Sequence, residues 1–164
     1  MNLAQFTFLQ SLTLLSFVLP TGLLQAEIDL SAVFGDHMVL QRDLALPIWG
    51  WAESGEEITI TFADQEKKTK AEKHGYWRTD LDPLDANAEG RVLKVTGGKG
   101  GTLSFKDVLV GEVWICSGQS NMEWTVNGAL NPTEEKASAN YPHIRHIKVP
   151  KIPSDSHETT FNSN

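Results

Sequence analysis

Alternating hydrophobic and polar positions run through the first half of the chain. Between residues 58 and 62, isoleucine and phenylalanine alternate with threonine, and a period of two places successive side chains on opposite faces of a β-strand. Further segments with strand character follow at 67–73, 76–79, 91–96 and 102–105. Turn-forming residues separate them, most clearly the glycine-rich stretch 97–101. Short strands at this spacing predict an antiparallel, jelly-roll-like β-sandwich over residues 27–107.

Two tryptophans lie in one of these predicted strands. Trp49 and Trp51 flank Gly50, so their side chains should point to the same face of the strand. We favour a position in the sandwich core, because aromatic side chains contribute much of the buried area in such cores. The alternative is an exposed platform on which a sugar ring could stack.

The pattern changes after residue 107. The apolar run Val113–Cys116 predicts a short strand buried on both faces. Residues 117–119 interrupt it, and the segment 121–128 can form a helix that ends at its glycine. Ser120 would then lie at a strand-to-helix turn, with the first free backbone N–H groups of the helix nearby. This arrangement suits a serine nucleophile, because the N–H groups can stabilise a developing oxyanion.

The motif around Ser120 leaves alternatives open. The Gly-x-Ser-x-Gly pattern of α/β-hydrolases fails, because Met122 stands where the second glycine is required. Ser120 could simply cap the helix, although a cap and a nucleophile are compatible roles. Cys116 is a rival nucleophile in principle, but its apolar neighbours indicate a small buried side chain instead.

Two blocks of the sequence resemble a known family. Residues 111–124 (GEVWICSGQSNMEW) resemble the nucleophile block of the sialate O-acetylesterases, which are serine esterases of the SGNH/GDSL superfamily. Residues 33–43 and 47–51 resemble the opening of the same proteins. The resemblance implies a mixed fold, in which the β-sandwich is followed over residues 108–164 by the first strand and helix of an incomplete α/β/α SGNH hydrolase domain.

The resemblance also implies a function for the site. The complete enzyme would remove O-acetyl groups from sialic acid or a related acetylated sugar, and Ser120 would be the nucleophile and a backbone oxyanion donor. Gly118 would permit the tight turn before it, and Asn121 would orient that turn. The resemblance implies neither a metal nor an organic cofactor.

Other parts of the expected catalytic machinery are missing from this sequence. In the superfamily, an Asp-x-x-His motif near the C-terminus supplies the base, and a glycine and an asparagine from intervening blocks complete the oxyanion hole. His143, His146 and His157 match no such motif. We therefore expect a truncated piece of a longer enzyme that does not hydrolyse esters by itself. The alternatives are a non-catalytic secreted carbohydrate-binding module and an unfolded fragment.

The beginning of the chain predicts export. Residues 1–26 contain no Asp, Glu, Lys or Arg, and the stretch 6–24 is mostly apolar, which is typical of a secretory signal peptide cleaved after Ala26. Polar residues within the stretch argue against a stable membrane anchor. We therefore expect a secreted or periplasmic protein without stable membrane insertion after cleavage.

The net charge of −7 argues against nucleic acid as a partner and suits a neutral or soluble substrate. A single cysteine excludes an intrachain disulfide. Nothing in the sequence indicates an oligomeric state.

The last part of the chain carries weaker patterns. A helix is predicted to begin within residues 131–135 with Thr133 as its cap, and alternation over 144–149 predicts a strand that Pro150 ends. Residues three apart on a strand face opposite ways, so His143 and His146 are not expected to bind a metal together. Residues 154–164 are polar and predict a loop or a frayed end.

Overall fold

A computed structural model describes residues 28–161, so the predicted signal peptide lies outside the described residues. This part of the chain is mainly β-structure, with two short 3₁₀ turns and one helix. The strands are β1 (Asp29–Leu30), β2 (Val39–Gln41), β3 (Leu46–Trp51), β4 (Glu57–Phe62), β5 (Gln65–Lys70), β6 (Tyr76–Leu81), β7 (Asn87–Gly97) and β8 (Thr102–Gly111). The 3₁₀ turns are Ser120–Glu123 and Val126–Gly128, and the helix, α1, is Pro132–Ser138.

The strands form two sheets. One sheet has the order β1-β3-β6, and the other has the order β2-β8-β7-β4-β5. All pairs are antiparallel except β2 and β8, which run parallel with Val39 opposite Leu109 and Gln41 opposite Gly111. The expectation of a wholly antiparallel sandwich is therefore wrong at this pair. A parallel pair needs a long connection, and here the connection is the chain from β3 to β7.

One buried cluster joins the two sheets, which identifies their inner faces. Leu46, Ile48 and Trp77 come from the three-stranded sheet, while Ile58 and Ile60 come from the five-stranded sheet. Burial of each such side chain contributes about 1.5–3 kcal/mol to folding. The hydrophobic pattern of β4 therefore predicted correctly both the strand and the face that it buries.

The face assigned to the two tryptophans of β3 is wrong. Leu46 and Ile48 point into the core, so Trp49 and Trp51 lie together on the opposite face and are only half-buried. Trp77 on β6 fills the core instead, with 1% of its surface exposed. Alternation predicted correctly that Trp49 and Trp51 share a face, but it could not distinguish the inner face from the outer one.

Several strand ends differ from those predicted. β5 ends at Lys70, before the predicted end at residue 73, and β7 begins at Asn87 with irregular pairing to β8 up to Leu93. β8 continues through the boundary expected between residues 107 and 108, although its pairing with β7 is irregular there, and it ends at Gly111.

The apolar run Val113–Cys116 forms no strand, which corrects the prediction of a buried one. Trp114 is 82% exposed and Ile115 is 92% exposed. Cys116 is also exposed, so it is not the buried side chain that was expected. A strand needs hydrogen-bonding neighbours, and no strand among residues 28–161 lies beside this run.

The helices and the last segment also depart from their predictions. The helix expected over 121–128 is replaced by two separate 3₁₀ turns, and the strand expected over 144–149 is absent from the described structure. α1 begins where a helix start was predicted, but its N-cap is Asn131 rather than Thr133. None of the helices within residues 28–161 has the length and apolar character needed to cross a bilayer.

Residues 154–161 form no helix or strand, which fits the predicted loop, and residues 159 and 160 contact β3 and the residues after β1. The carbonyl oxygen of Thr159 accepts a hydrogen bond from Ser31 Oγ at 2.7 Å and one from Trp49 Nε1 at 3.0 Å. The backbone N–H of Ala32 donates to Thr160 Oγ1 at 3.1 Å. Ser31 is 1% exposed, so this contact satisfies a buried hydroxyl.

Candidate functional site

Ser120 is the first residue of an exposed 3₁₀ turn. Gln119 before it has an extended backbone, with φ −89° and ψ −168°. The backbone N–H of Met122 donates to the Gln119 carbonyl oxygen at 2.9 Å and closes the turn. Gln119 is the N-cap of the turn and makes no side-chain capping hydrogen bond, so Ser120 is not the cap that was considered for it. The helix was predicted to start at Asn121 after a strand; the structure has a 3₁₀ turn that starts one residue earlier, at Ser120, and no strand before it.

Gly118 lies where the chain passes close to the side chain of Met122. Its φ is +157°, and a Cβ added to it would lie 3.0 Å from Met122 Cγ. A larger residue would have to displace the methionine or change the backbone. Glycine therefore allows the close approach immediately before the Ser120 turn.

Asn121 takes part in the turn through its backbone. Its carbonyl oxygen accepts a hydrogen bond from the N–H of Trp124 at 3.3 Å. The next acidic residue, Glu123, forms an ion pair with Lys151. The Ser120 turn is therefore linked to the later part of the chain.

The described residues bring no base to Ser120. Within residues 28–161, no hydrogen bond joins its hydroxyl to a histidine, and the ring of His37 is bonded to Asp107 instead. His143, His146 and His157 are exposed. The described part of the chain also contains no group of three side chains suited to hold a metal ion. The arrangement thus presents an accessible serine without the partners that would activate it.

A cluster that sequence reasoning missed is centred on Asp107 of β8. The Nδ1 atom of His37 lies 2.6 Å from Asp107 Oδ2. Arg145 Nη2 lies 2.9 Å from the same oxygen, and its Nη1 donates to the Asp107 carbonyl oxygen at 2.7 Å. The three residues are far apart in sequence, so no local pattern could have indicated the cluster.

The cluster alters the acidity of its carboxylate. The hydrogen bond from His37 is the main cause that lowers the pKa of Asp107, and the positive charge of Arg145 lowers it further, against an opposing effect of desolvation. Both interactions favour the ionised carboxylate.

The surface around the outer tryptophans is partly occupied. The ring of Phe34 packs edge-on against Trp49 with 4.7 Å between ring centroids, and Trp51 has Tyr76 as an edge-on neighbour at 6.1 Å. A shallow depression of about 350 Å³ is found elsewhere, on β4 and β5, and Ser120 does not line it. Neither feature forms a pocket around Ser120.

Comparison with known proteins identifies relatives that match about three quarters of the chain. No family model matches the chain. It is 34% identical over 130 residues to the mouse sialate O-acetylesterase, covering 73% of this chain and 24% of that protein. For the human sialate O-acetylesterase the identity is 33% over 139 residues, covering 76% of this chain and 26% of that protein.

A solved structure gives the same result. The crystal structure of a carbohydrate acetylesterase from Xanthomonas citri is similar with a TM-score of 0.66 and 36% identity, covering 70% of this chain and 26% of that one. The solved structure and the curated relatives are thus all named as acetylesterases. More narrowly, about three quarters of this chain is similar to sialate O-acetylesterases at 33–34% identity. It spans about a quarter of the length of the curated relatives that it matches.

Proposed function

We propose that this chain is part of a serine esterase that removes O-acetyl groups from sialic acid or a related acetylated sugar, with Ser120 as the nucleophile. The observation that carries the proposal is the position of Ser120, exposed at the first residue of a turn, in a chain about one third identical to sialate O-acetylesterases. An exposed hydroxyl at this position can reach a carbonyl carbon of a bound ester.

The chemistry follows from that position. The Ser120 oxygen attacks the acetyl carbonyl, the sugar oxygen leaves with a proton, and an acetyl-serine remains. Water then attacks this ester, which releases acetate and returns the hydroxyl. In both steps the backbone N–H of Ser120 would stabilise the negative charge on the carbonyl oxygen, a contribution of roughly 3 kcal/mol for one such donor. Gly118 would allow the tight turn, and Asn121 would orient it.

The base must come from residues outside the described set. Proton transfer from a serine hydroxyl usually needs a histidine held by a carboxylate. We propose that residues 108–164 are the first part of an SGNH hydrolase domain that follows a jelly-roll-like β-domain, and that the base and the remaining oxyanion donors belong to the rest of that domain. The charge-free apolar start of the chain favours a secreted or periplasmic protein.

The test is acetate release from an O-acetylated sialic acid by the product of the complete gene. We expect Ser120→Ala to abolish both acetate release and labelling by a fluorophosphonate probe, which reacts with activated serines. Ser117→Ala is the matched control, because Ser117 is also an exposed serine of the same segment. Equal activity of the Ser120→Ala variant and the parent would refute the proposal.

The chain of 164 residues alone should release no acetate, since its described residues supply no base to Ser120. A carbohydrate-binding module would behave differently, because it would bind sugar without reacting with the probe. Its binding would weaken on Trp51→Ala. The edge-on packing of both outer tryptophans leaves this second function without a specific supporting observation.

A further inference from the structure

The segment 112–161 contacts the β-domain, residues 28–111, through separate polar contacts rather than a shared core. Near its start, the backbone N–H of Val113 donates to Gln41 Oε1 at 2.8 Å. Near its end, the carbonyl oxygen of Thr159 accepts two hydrogen bonds from the β-domain. Between these two contacts, the segment is joined to the β-domain through the side chain of Arg145.

The Arg145 contact differs from the other ion pairs of the described residues. The Arg145 side chain is 19% exposed, the lowest value for any member of these pairs. Its guanidinium contacts two atoms of Asp107, the carboxylate Oδ2 and the backbone carbonyl oxygen. Two contacts to one residue fix the direction of the guanidinium as well as its distance.

The backbone around Asp107 is shaped to present its carboxylate. Asp107 has φ +56° and His37 has φ +64°, a left-handed conformation in which Asp and His are enriched among non-glycine residues. The N–H of His37 donates to the Lys106 carbonyl oxygen at 2.9 Å, which brings the two loops together. Opposite them, a Cβ on Gly90 would collide with the Asp107 carboxylate. The glycine thus leaves the space that the carboxylate occupies.

We propose that Asp107 is a positioning residue, which holds the Ser120-bearing segment 112–161 against the β-domain by binding Arg145 while His37 orients its carboxylate. The contact does not depend on hydrolysis. Its consequence for catalysis rests on the proposed function of Ser120.

A catalytic role for the His37–Asp107 pair is less consistent with the geometry. The hydrogen bond from Nδ1 to a carboxylate is the arrangement found in a catalytic base. Here, however, Arg145 Nη2 lies 2.9 Å from the same carboxylate oxygen and would oppose the positive charge that a histidine base acquires. The Asp107 carboxylate is thus already paired with Arg145 of the segment.

Hydrogen–deuterium exchange on the chain of 164 residues tests the proposal. Asp107→Asn removes the charge, and asparagine tolerates the left-handed backbone. We expect backbone amides of residues 140–150 to exchange about threefold to tenfold faster, the range for loss of one charged contact. Asp82→Asn, which breaks the exposed pair between Asp82 and Lys67 at 2.7 Å, is the control and should leave these amides unchanged.

A double-mutant cycle separates a direct contact from general destabilisation. Arg145 lies outside the sheets, and Arg145→Gln should accelerate exchange in residues 140–150 as much as Asp107→Asn does. The double variant should be no faster than either single variant, because the two changes remove one interaction. The proposal would be overturned if the increase in exchange rate in the double variant equalled the product of the increases in the two single variants. It would also be overturned if both single variants exchanged at the parental rate while the β-sheet amides stayed protected.

The same variants distinguish this inference from the proposed function. In the complete enzyme, Asp107→Asn should lower acetate release. Arg145→Lys should retain more of the parental acetate release than Arg145→Gln does, since lysine keeps the charge. If Ser120→Ala leaves acetate release intact, the proposed function fails while the exchange result on the 164-residue chain still decides the role of Asp107.

Discussion

The β-domain and the segment 112–161 use the same kinds of residue in opposite ways. The buried hydrophobic residues of the described chain all lie between Ile28 and Val110, and no residue of the segment is buried. Yet the segment contains several large apolar side chains, of which Trp114, Ile115 and Leu130 are each more than 80% exposed. Burial therefore depends on whether neighbouring strands are present to cover a side chain, and not on its hydrophobicity alone.

The two regions should therefore differ in what mutations affect. Changes in the β-domain should alter the free energy of unfolding, because its side chains are packed. Changes in the segment should alter chemistry or local order, because its side chains contact little within the described chain.

The largest expected effect is on chemistry. In the complete enzyme, Ser120→Ala should lower kcat for acetate release by about four to six orders of magnitude, as loss of a catalytic nucleophile does in serine hydrolases. The melting temperature should stay unchanged, because Ser120 is exposed. Ser117→Ala serves as the control for both measurements. A large loss of stability in Ser120→Ala would contradict the contrast between the two regions.

Two tryptophan substitutions, one in each region, compare the β-domain with the segment directly. Trp77→Ala should reduce the free energy of unfolding by about 3–5 kcal/mol, since it opens a cavity in the core. Trp114→Ala makes the same chemical change at a side chain that is 82% exposed, and its effect should stay within about 0.5 kcal/mol. Urea denaturation of the 164-residue chain measures both. Similar values for the two variants would show that the regions do not differ in packing.

A smaller effect should separate the two roles of Trp49. Trp49→Phe keeps an aromatic ring beside Phe34 but removes the N–H that donates to the Thr159 carbonyl oxygen. We expect a loss of about 1 kcal/mol or less in the free energy of unfolding. Exchange at residues 157–161 should rise more than exchange in the sheets. A uniform rise throughout β3 would indicate instead that the ring packing was disturbed.

The smallest effect should appear on acidification. The pKa of Asp107 is lowered from its ordinary value of 3.8, so the folded state holds fewer protons there than the unfolded chain. Its stabilising contribution is therefore complete above that ordinary value and is lost as the pH falls through the lowered pKa. Exchange of residues 140–150, corrected for intrinsic rates, should accelerate below about pH 4. The Asp107→Asn variant should lack this step, and a step of equal size in that variant would assign it to another group.

Local patterns were sufficient for some features. Ile58, Ile60 and Phe62 predicted β4 and its buried face, because alternation along one strand reflects contact with one core. The apolar-to-polar change before Ser120 predicted a helical start at Asn121, within one residue of the observed start of the 3₁₀ turn. The glycine-rich stretch 97–101 predicted the turn between β7 and β8 for a similar reason, since turn chemistry depends on adjacent residues.

Other features required residues that are far apart to meet. The sequence could pair Trp49 with Trp51 on one face, but only the packing of β3 against the other sheet put Trp77 in the core instead. The run Val113–Cys116 has the composition of a buried strand, yet strand formation requires partners that no pattern within the run can supply.

What the sequence by itself determined is thus local: the alternating strands, the turns between them, the serine at the start of its turn and the resemblance that those residues carry. Only the tertiary structure decided which face is buried, that β2 pairs in parallel with β8, and that His37, Asp107 and Arg145 meet. The physical reason is that periodicity is a property of neighbouring residues, whereas pairing, burial and charge clusters depend on distant segments whose positions the whole fold sets.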